Sequence, residues 1–304
     1  MGLFDRSGGA HVAVTPDAVR PRQTVTATVT VDKPITKVAS ARLEWGYDNF
    51  YRYHWAGRAD SAAAAGNDTL LTAGQVGTSY GGERDTDDWV CVTRVEVPIG
   101  TGEFTGASSS FTIPSWAPGS SPVLARWACR LVVERGGVDV DRKGVFTVLI
   151  GATDVDATDE AAAPLERYMG DGATELDIVL ASPVCLAGAP IVGHLVLRPK
   201  TQVPEADIAV YWQRHREHHP IERYPAQGGE LDGPPTYLGK KVVLPPGGEY
   251  GMPFELPLPA DAAPSGTTVN STVTWQIGAR VFYKGFTQHQ LERVRRPIVV
   301  VNAP

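Results

Sequence analysis

Cysteine is scarce in this chain, and the 3 present (Cys91, Cys129, Cys185) are scattered and odd in number, which excludes a disulfide framework as the source of stability. Long apolar runs are missing too. Nothing approaches the roughly 20 residues of a membrane-spanning helix. The opening, Met1-Gly2-Leu3-Phe4-Asp5-Arg6, has no apolar core of a secretory signal, so a cytoplasmic location is expected. Gly2 invites myristoylation, but that motif wants Ser or Thr where Arg6 stands. Excess positive charge is absent as well: Lys and Arg total 28 against 34 Asp and Glu, for a net −6. Nucleic acid is therefore not an expected partner, because its binding draws mostly on neutralised phosphates. Lys240-Lys241 and Arg293, Arg295 and Arg296 are too sparse for a polybasic membrane anchor, which leaves only peripheral association open.

What the sequence has in abundance is alternation of period two. In Thr24 to Val31, Val25, Ala27, Val29 and Val31 fall on one face and four threonines on the other, the pattern of a half-buried strand. Further strands are expected at 38–47, 50–55, 89–97, 108–113, 123–134 and 138–150, the last two meeting at Arg135-Gly136-Gly137. A second series is expected at 174–181, 189–198, 206–213, 237–244, 250–255, 271–283 and 287–301. The 32 Gly and 24 Pro supply the turns such a chain needs. This spacing predicts an all-β fold of two tandem immunoglobulin-like β-sandwiches.

The same order of features occurs twice. Phe111-Thr112-Ile113-Pro114, Ala117-Pro118-Gly119-Ser120 and the run from Pro122 are matched by Phe254-Glu255-Leu256-Pro257-Leu258-Pro259, Ala263-Pro264-Ser265-Gly266 and the run from Thr272. Upstream, Val19-Arg20-Pro21 matches Leu186-Ala187-Gly188. A period this long fits a whole domain used twice. The expected division is a first sandwich over 1–152, an acidic linker over 153–172 and a second sandwich over 173–304. In the linker, 163–169 is expected to form a short helix with Pro164 in its first turn.

Phe254-Glu255-Leu256-Pro257-Leu258-Pro259, then Pro264-Ser265 and a long apolar strand, resembles the second domain of the arrestin fold. The opening Met1-Gly2-Leu3-Phe4 with Val19-Arg20-Pro21-Arg22-Gln23-Thr24-Val25 resembles the bacterial sporulation-control proteins, prokaryotic members of that group. In the first half, Ile113-Pro114-Ser115-Trp116 departs from the Pro-x-Pro pattern. The resemblance implies two sandwiches in series and a scaffold or adaptor that binds protein partners, without an active site or cofactor. The buried charge cluster by which animal arrestins sense phosphates has no match here, so that switch is not carried over.

Candidate contact residues lie where aromatic and basic side chains alternate. Tyr51, Tyr53 and Trp55 are expected on one face of a strand, with Arg52 and His54 on the other, and Tyr211, Trp212 and Arg214 stand nearby in register in the second copy. Each aromatic strand is followed by a long non-periodic stretch, 56–88 (which contains Tyr80) and 214–233, and loops of that length often carry binding. These loops, the free sheet edges and the seam between domains are the expected contact surfaces, and the edges leave homo-oligomerisation open. In a strand, His215, Glu217 and His219 would align on one side as candidate metal ligands of zinc type, against which the neighbouring arginines count.

Two other readings have sequence features behind them. Gly77-Thr78-Ser79-Tyr80-Gly81 has the spacing of a nucleophile elbow, so a serine hydrolase using Ser79 is one alternative. It lacks the preceding buried strand and following amphipathic helix that this motif needs. A carbohydrate-binding or surface sandwich, stacking sugars on the aromatic strip, is the other.

Overall fold

A computed structural model describes residues 9–55, 82–285 and 291–304, and strands take up 63% of these residues against 3% in helix. The fold is all-β, built from several mainly antiparallel sheets, as the alternation requires. No helix among the described residues is long and apolar enough to cross a membrane. The chain divides into two units, Met1–Val148 with Glu217–Gly228 and Thr267–Thr272, and Leu149–Arg216 with Gly229–Gly266 and Val273–Pro304.

The first unit holds β1 (Ala10–Thr15), β2 (Ala18–Val19), β3 (Thr24–Thr36), β4 (Val38–Trp55), β5 (Gly82–Glu96), β6 (Glu103–Thr112), β7 (Ala125–Arg135), β8 (Val140–Val145) and β9 (Thr147–Val148). A three-stranded sheet, β1-β3-β6, faces a four-stranded one, β5-β4-β7-β8. The odd positions of β3 point inward as expected, with Val25, Ala27 and Val29 all buried. Across the core, Trp45 of β4 stacks on Phe111 of β6 with ring centroids 5.4 Å apart, and within one sheet Trp127 of β7 lies 4.9 Å from its cross-strand neighbour Tyr47. Truncating a buried ring such as Trp127 would cost roughly 3–5 kcal/mol.

Two strands expected at 38–47 and 50–55 are one continuous strand, β4. The Asp48-Asn49 pair left between them is in mid-strand, fully buried and bonded. A bulge follows Trp45, and a Cβ on Gly46 would meet the Val90 carbonyl at 2.0 Å, so only glycine fits there.

The second unit holds one short α-helix, α1 (Thr158–Ala162), and β10 (Glu166–Met169), β11 (Thr174–Leu180), β12 (Val184–Leu186), β13 (Pro190–Pro199), most of β14 (Ala206–His218), β15 (Gly229–Asp232), β16 (Thr236–Val242), β17 (Tyr250–Pro257), half of β18 (Gly266–Thr267), most of β19 (Ser271–Tyr283) and β20 (Leu291–Val301). An eight-stranded sheet carries β10-β20-β19-β14-β15, with β12, β16 and β18 attached, and β11-β13-β17 form a three-stranded sheet. Trp212 of β14 packs 5.3 Å from Trp275 of β19, and its Nε1 donates to the Pro257 carbonyl on the other sheet at 3.1 Å.

The helix expected over 163–169 is not there. It forms earlier, at Thr158–Ala162, and Ala163 is already extended (φ −59°, ψ 131°) because the following Pro164 disfavours helical backbone before it. Glu166–Met169 instead pairs with β20, pinned where Arg295 donates to both Glu166 oxygens at 2.7 and 2.9 Å. The acidic stretch read as a linker thus contributes an edge strand to the second unit.

The repeat read from the sequence reappears as the same set of bonds within each unit. Gln23 N donates to Arg20 O at 3.1 Å and Ala189 N to Leu186 O at 3.0 Å. In both turns the third residue has positive φ, Arg22 at 68° and Gly188 at 80°, as a type II turn requires. Parallel pairing follows in each, β2 with β9 and β12 with β20. Ser120 N donates to Val148 O and Ser265 N to Val300 O, each at 2.8 Å. Both serine hydroxyls accept the return N–H at 2.9 Å. Two residues before each serine, a carbonyl takes a core indole N–H: Pro118 from Trp127 at 2.8 Å and Ala263 from Trp275 at 2.9 Å.

Candidate partner-binding surface

Alternation along the end of β4 puts Tyr51, Tyr53 and Trp55 on one face, and β5 supplies the side chains around them. Tyr51 is buried, its Oη donates to Asp88, and Arg223 caps it with its guanidinium 5.7 Å from the ring centre. Burial first, then the Asp88 carboxylate that accepts its proton, holds the Tyr51 hydroxyl well above the ordinary tyrosine range. The same Arg223 lies 4.7 Å over Tyr53 and bonds Thr86 Oγ1 at 3.2 Å. Arg84 lies 4.0 Å over Trp55. On the opposite face Arg52 reaches Asp85 at 3.1 Å and Glu83 at 3.5 Å, and His54 is exposed.

Beyond Asn49 the sheet partner β7 has ended, and the open edge of β4 is closed by other segments of the same unit. Arg52 N donates to His218 Nδ1 at 3.2 Å, and His54 N to Tyr224 O at 2.8 Å. Phe50 N donates to Leu124 O at 3.0 Å, while Ser271 Oγ donates to Phe50 O at 2.8 Å. Along that edge the N–H groups of Phe50, Arg52 and His54 and the carbonyls of Phe50 and Arg52 are already taken. What it presents outward is side chains: Ile221 is 83% exposed, Tyr224 79% and Trp55 37%. Exposed apolar groups held on bonded backbone, beside cations already stacked on rings, suit contact with another surface.

Neither a scan against protein-family models nor a search of curated proteins finds a match to this chain.

The remaining sequence candidates are dispersed. Tyr211 and Trp212 are core residues, buried in the second unit, with Tyr211 Oη 2.7 Å from Tyr168 Oη, so packing accounts for both and neither faces a partner. Arg214 is half-buried, and burial lowers its affinity for a proton. His215, Glu217 and His219 are not gathered into a site, and among the described residues no group of three or more His, Cys, Asp or Glu could hold a metal. His215 contacts Gln213 at 3.1 Å and Glu230 at 3.3 Å, while His219 contacts the Val269 carbonyl at 3.0 Å and Thr272 at 3.1 Å. Tyr80 and Ser79 lie outside the described residues. Of the stretch 56–88 read as a loop, 82–88 is strand β5, because its acidic residues pair across to β4.

Arg223, Asp88 and His218 were not singled out by the sequence. Arg223 sits in a segment of low periodicity, and nothing in its neighbours signals the tyrosines it covers.

Proposed function

We propose that this chain is a non-enzymatic scaffold of the arrestin-like, bacterial sporulation-control type, which recruits protein partners through side chains displayed at the end of β4. The observation that carries the reading is the exposed set of Trp55, at the end of β4, with Ile221 and Tyr224, in the segment whose Tyr224 carbonyl takes the His54 N–H. Backbone held in this way loses less conformational freedom on contact than a loose segment does, which favours affinity. The duplicated turn-and-serine arrangement supports the tandem reading, since the same local bonds recur in each unit. Edge strand β5 carries Glu83, Asp85, Asp87 and Asp88 at its start, and such charge discourages strand addition there. Recognition by side chains is therefore favoured over strand addition at this end of the sheet.

The test is affinity capture from the native host with tagged wild type and a Trp55→Ala/Ile221→Ser/Tyr224→Ser variant, read by mass spectrometry. All three positions are solvent-facing, so the variant should melt close to wild type. A partner retained by wild type and lost by the variant is the expected result. Identical capture by both proteins removes this surface from the reading.

A further inference from the structure

Arg280 of β19 and Arg293 of β20 are directly opposed across the antiparallel ladder. Like charges in that position destabilise a sheet unless something of opposite sign lies between them. Two other arginines of the same sheet are paired with acids, Arg295 with Glu166 at 2.7 Å and Arg167 with Glu292, while Arg296 is held by the Ile178 carbonyl. Among the described residues no carboxylate lies within ion-pair distance of Arg280 or Arg293, and 286–290, between the two strands, contains no acid in its sequence. The Arg293 Nε is buried without a hydrogen-bond partner. Arg280 makes one long hydrogen bond, from Nη2 to Tyr237 Oη at 3.4 Å, and its guanidinium lies 5.9 Å over the Tyr237 ring.

The pair lines a cavity of about 410 Å³ in the second unit, together with Asp207, Tyr237, Phe282 and Leu291. Asp207 does not neutralise it, because its carboxylate already takes Lys284 Nζ at 3.3 Å and the Lys241 N–H at 2.8 Å. Lys240 adds another cation 4.7 Å over the Tyr237 ring. The cavity therefore combines two uncompensated guanidinium groups with apolar walls from Phe282, Leu291 and the Tyr237 ring.

We propose that this cavity binds a small dianionic oxyanion, a dicarboxylate or a phosphate group, clamped between Arg280 and Arg293. Two guanidinium groups match two negative charges, and their planar donors suit either a carboxylate or a phosphate. The ligand supplies the charge that the opposed arginines lack, so binding also stabilises the sheet.

Thermal melts and calorimetric titrations of the full chain test this with succinate and with inorganic phosphate, chloride holding ionic strength constant. At least one anion should raise the melting temperature saturably, and the stronger of the two identifies the source chemistry. Arg280→Gln and Arg293→Gln should each weaken that anion by about tenfold or more, while Arg295→Gln, whose partner is Glu166, retains it. In anion-free buffer Arg293→Gln should melt no lower than wild type, since it removes a repulsion. The proposal is overturned if neither anion acts beyond the chloride control, or if the effect survives both substitutions. It is equally overturned if Arg295→Gln abolishes the effect, or if Arg293→Gln is the less stable protein in anion-free buffer.

Discussion

The side-chain carbonyl of Asn49 accepts the backbone N–H of Asn270 at 2.7 Å, and both residues are buried in the first unit. The same amide donates from Nδ2 to Thr268 Oγ1 at 2.8 Å, so one side chain anchors the segment Thr267–Thr272 to β4. Replacing Asn49 with Ala strands the buried Asn270 N–H, while the Thr268 hydroxyl keeps its bonds to Ser271. The expected loss is about 1–3 kcal/mol of unfolding free energy, measured by urea denaturation. Amide exchange at Asn270 should accelerate in parallel. A loss well under 1 kcal/mol would mean that the segment does not depend on this amide.

Ser120 and Ser265 make a more direct test of the duplication. Each hydroxyl accepts a strand N–H at 2.9 Å in its own unit, so each Ser→Ala substitution removes the same bond. Ser120→Ala and Ser265→Ala should therefore cost similar amounts, about 1 kcal/mol each. A clearly unequal pair of values in denaturant melts would show that the two arrangements are alike in geometry but not in energetics.

The legible parts of this fold were those fixed by local pattern. Alternation placed β3 with its inward face and the extent of β19, and the recurring Pro/Gly/Ser punctuation marked the region of both copies of the turn-and-serine arrangement. What escaped was set by partners distant in sequence. Asp48-Asn49 separates the strands expected at 38–47 and 50–55, and both residue types favour turns. The structure keeps them in mid-strand because Lys143 and Arg126 hold Asp48, the latter at 2.9 Å, while Thr268 and Asn270 hold Asn49. The first residues of β5 are charged rather than apolar, so no periodic signal separated them from the preceding stretch. At the candidate surface the alternation of Tyr51, Tyr53 and Trp55 was readable, but burial was not: Tyr51 lies under Arg223, while Trp55 is partly exposed. The buried Tyr211 and Trp212 show the same ambiguity, since good strand formers and good contact residues are the same amino acids.

The thiols give a prediction that separates faces of the sheets. Trp89-Val90-Cys91-Val92 and Trp127-Ala128-Cys129 both read as strand interiors, yet Cys91 is exposed, while Cys129 and Cys185 are buried. Burial pushes Cys129 up to about 12 and Cys185 up to about 11, so neither forms thiolate at neutral pH. Burial, then the Glu44 charge, also raises Cys91, which will react slowly but remains reachable. A disulfide reagent at pH 8 should modify one thiol in the native protein and all 3 after denaturation. Cys91→Ser should leave the native protein unreactive. Rapid reaction of two or more native thiols would contradict the packing of Cys129 and Cys185.

Acid sensitivity should trace to Glu44, which is buried on β4 beneath a cover of cations. Burial pushes its carboxyl up. The Arg42 hydrogen bond at 2.9 Å and charge, the Trp89 N–H at 3.0 Å and the Arg130 charge outweigh that and hold it below its ordinary value of 4.5. A carboxylate whose affinity for protons is lower folded than unfolded stabilises the fold above its unfolded pKa. That contribution is lost as pH falls through the folded value. Glu44→Gln should therefore be less stable than wild type near neutrality, because Arg42, Arg94 and Arg130 lose their shared acceptor. As pH is lowered from about 6 to about 3, wild type should lose the Glu44 contribution and the variant should not, so the gap between them narrows. Urea melts at stepped pH measure this directly. A gap that stays constant across that range would place the folded carboxyl at its unfolded value, and the cations around it would then be packing against Glu44 without favouring its charge.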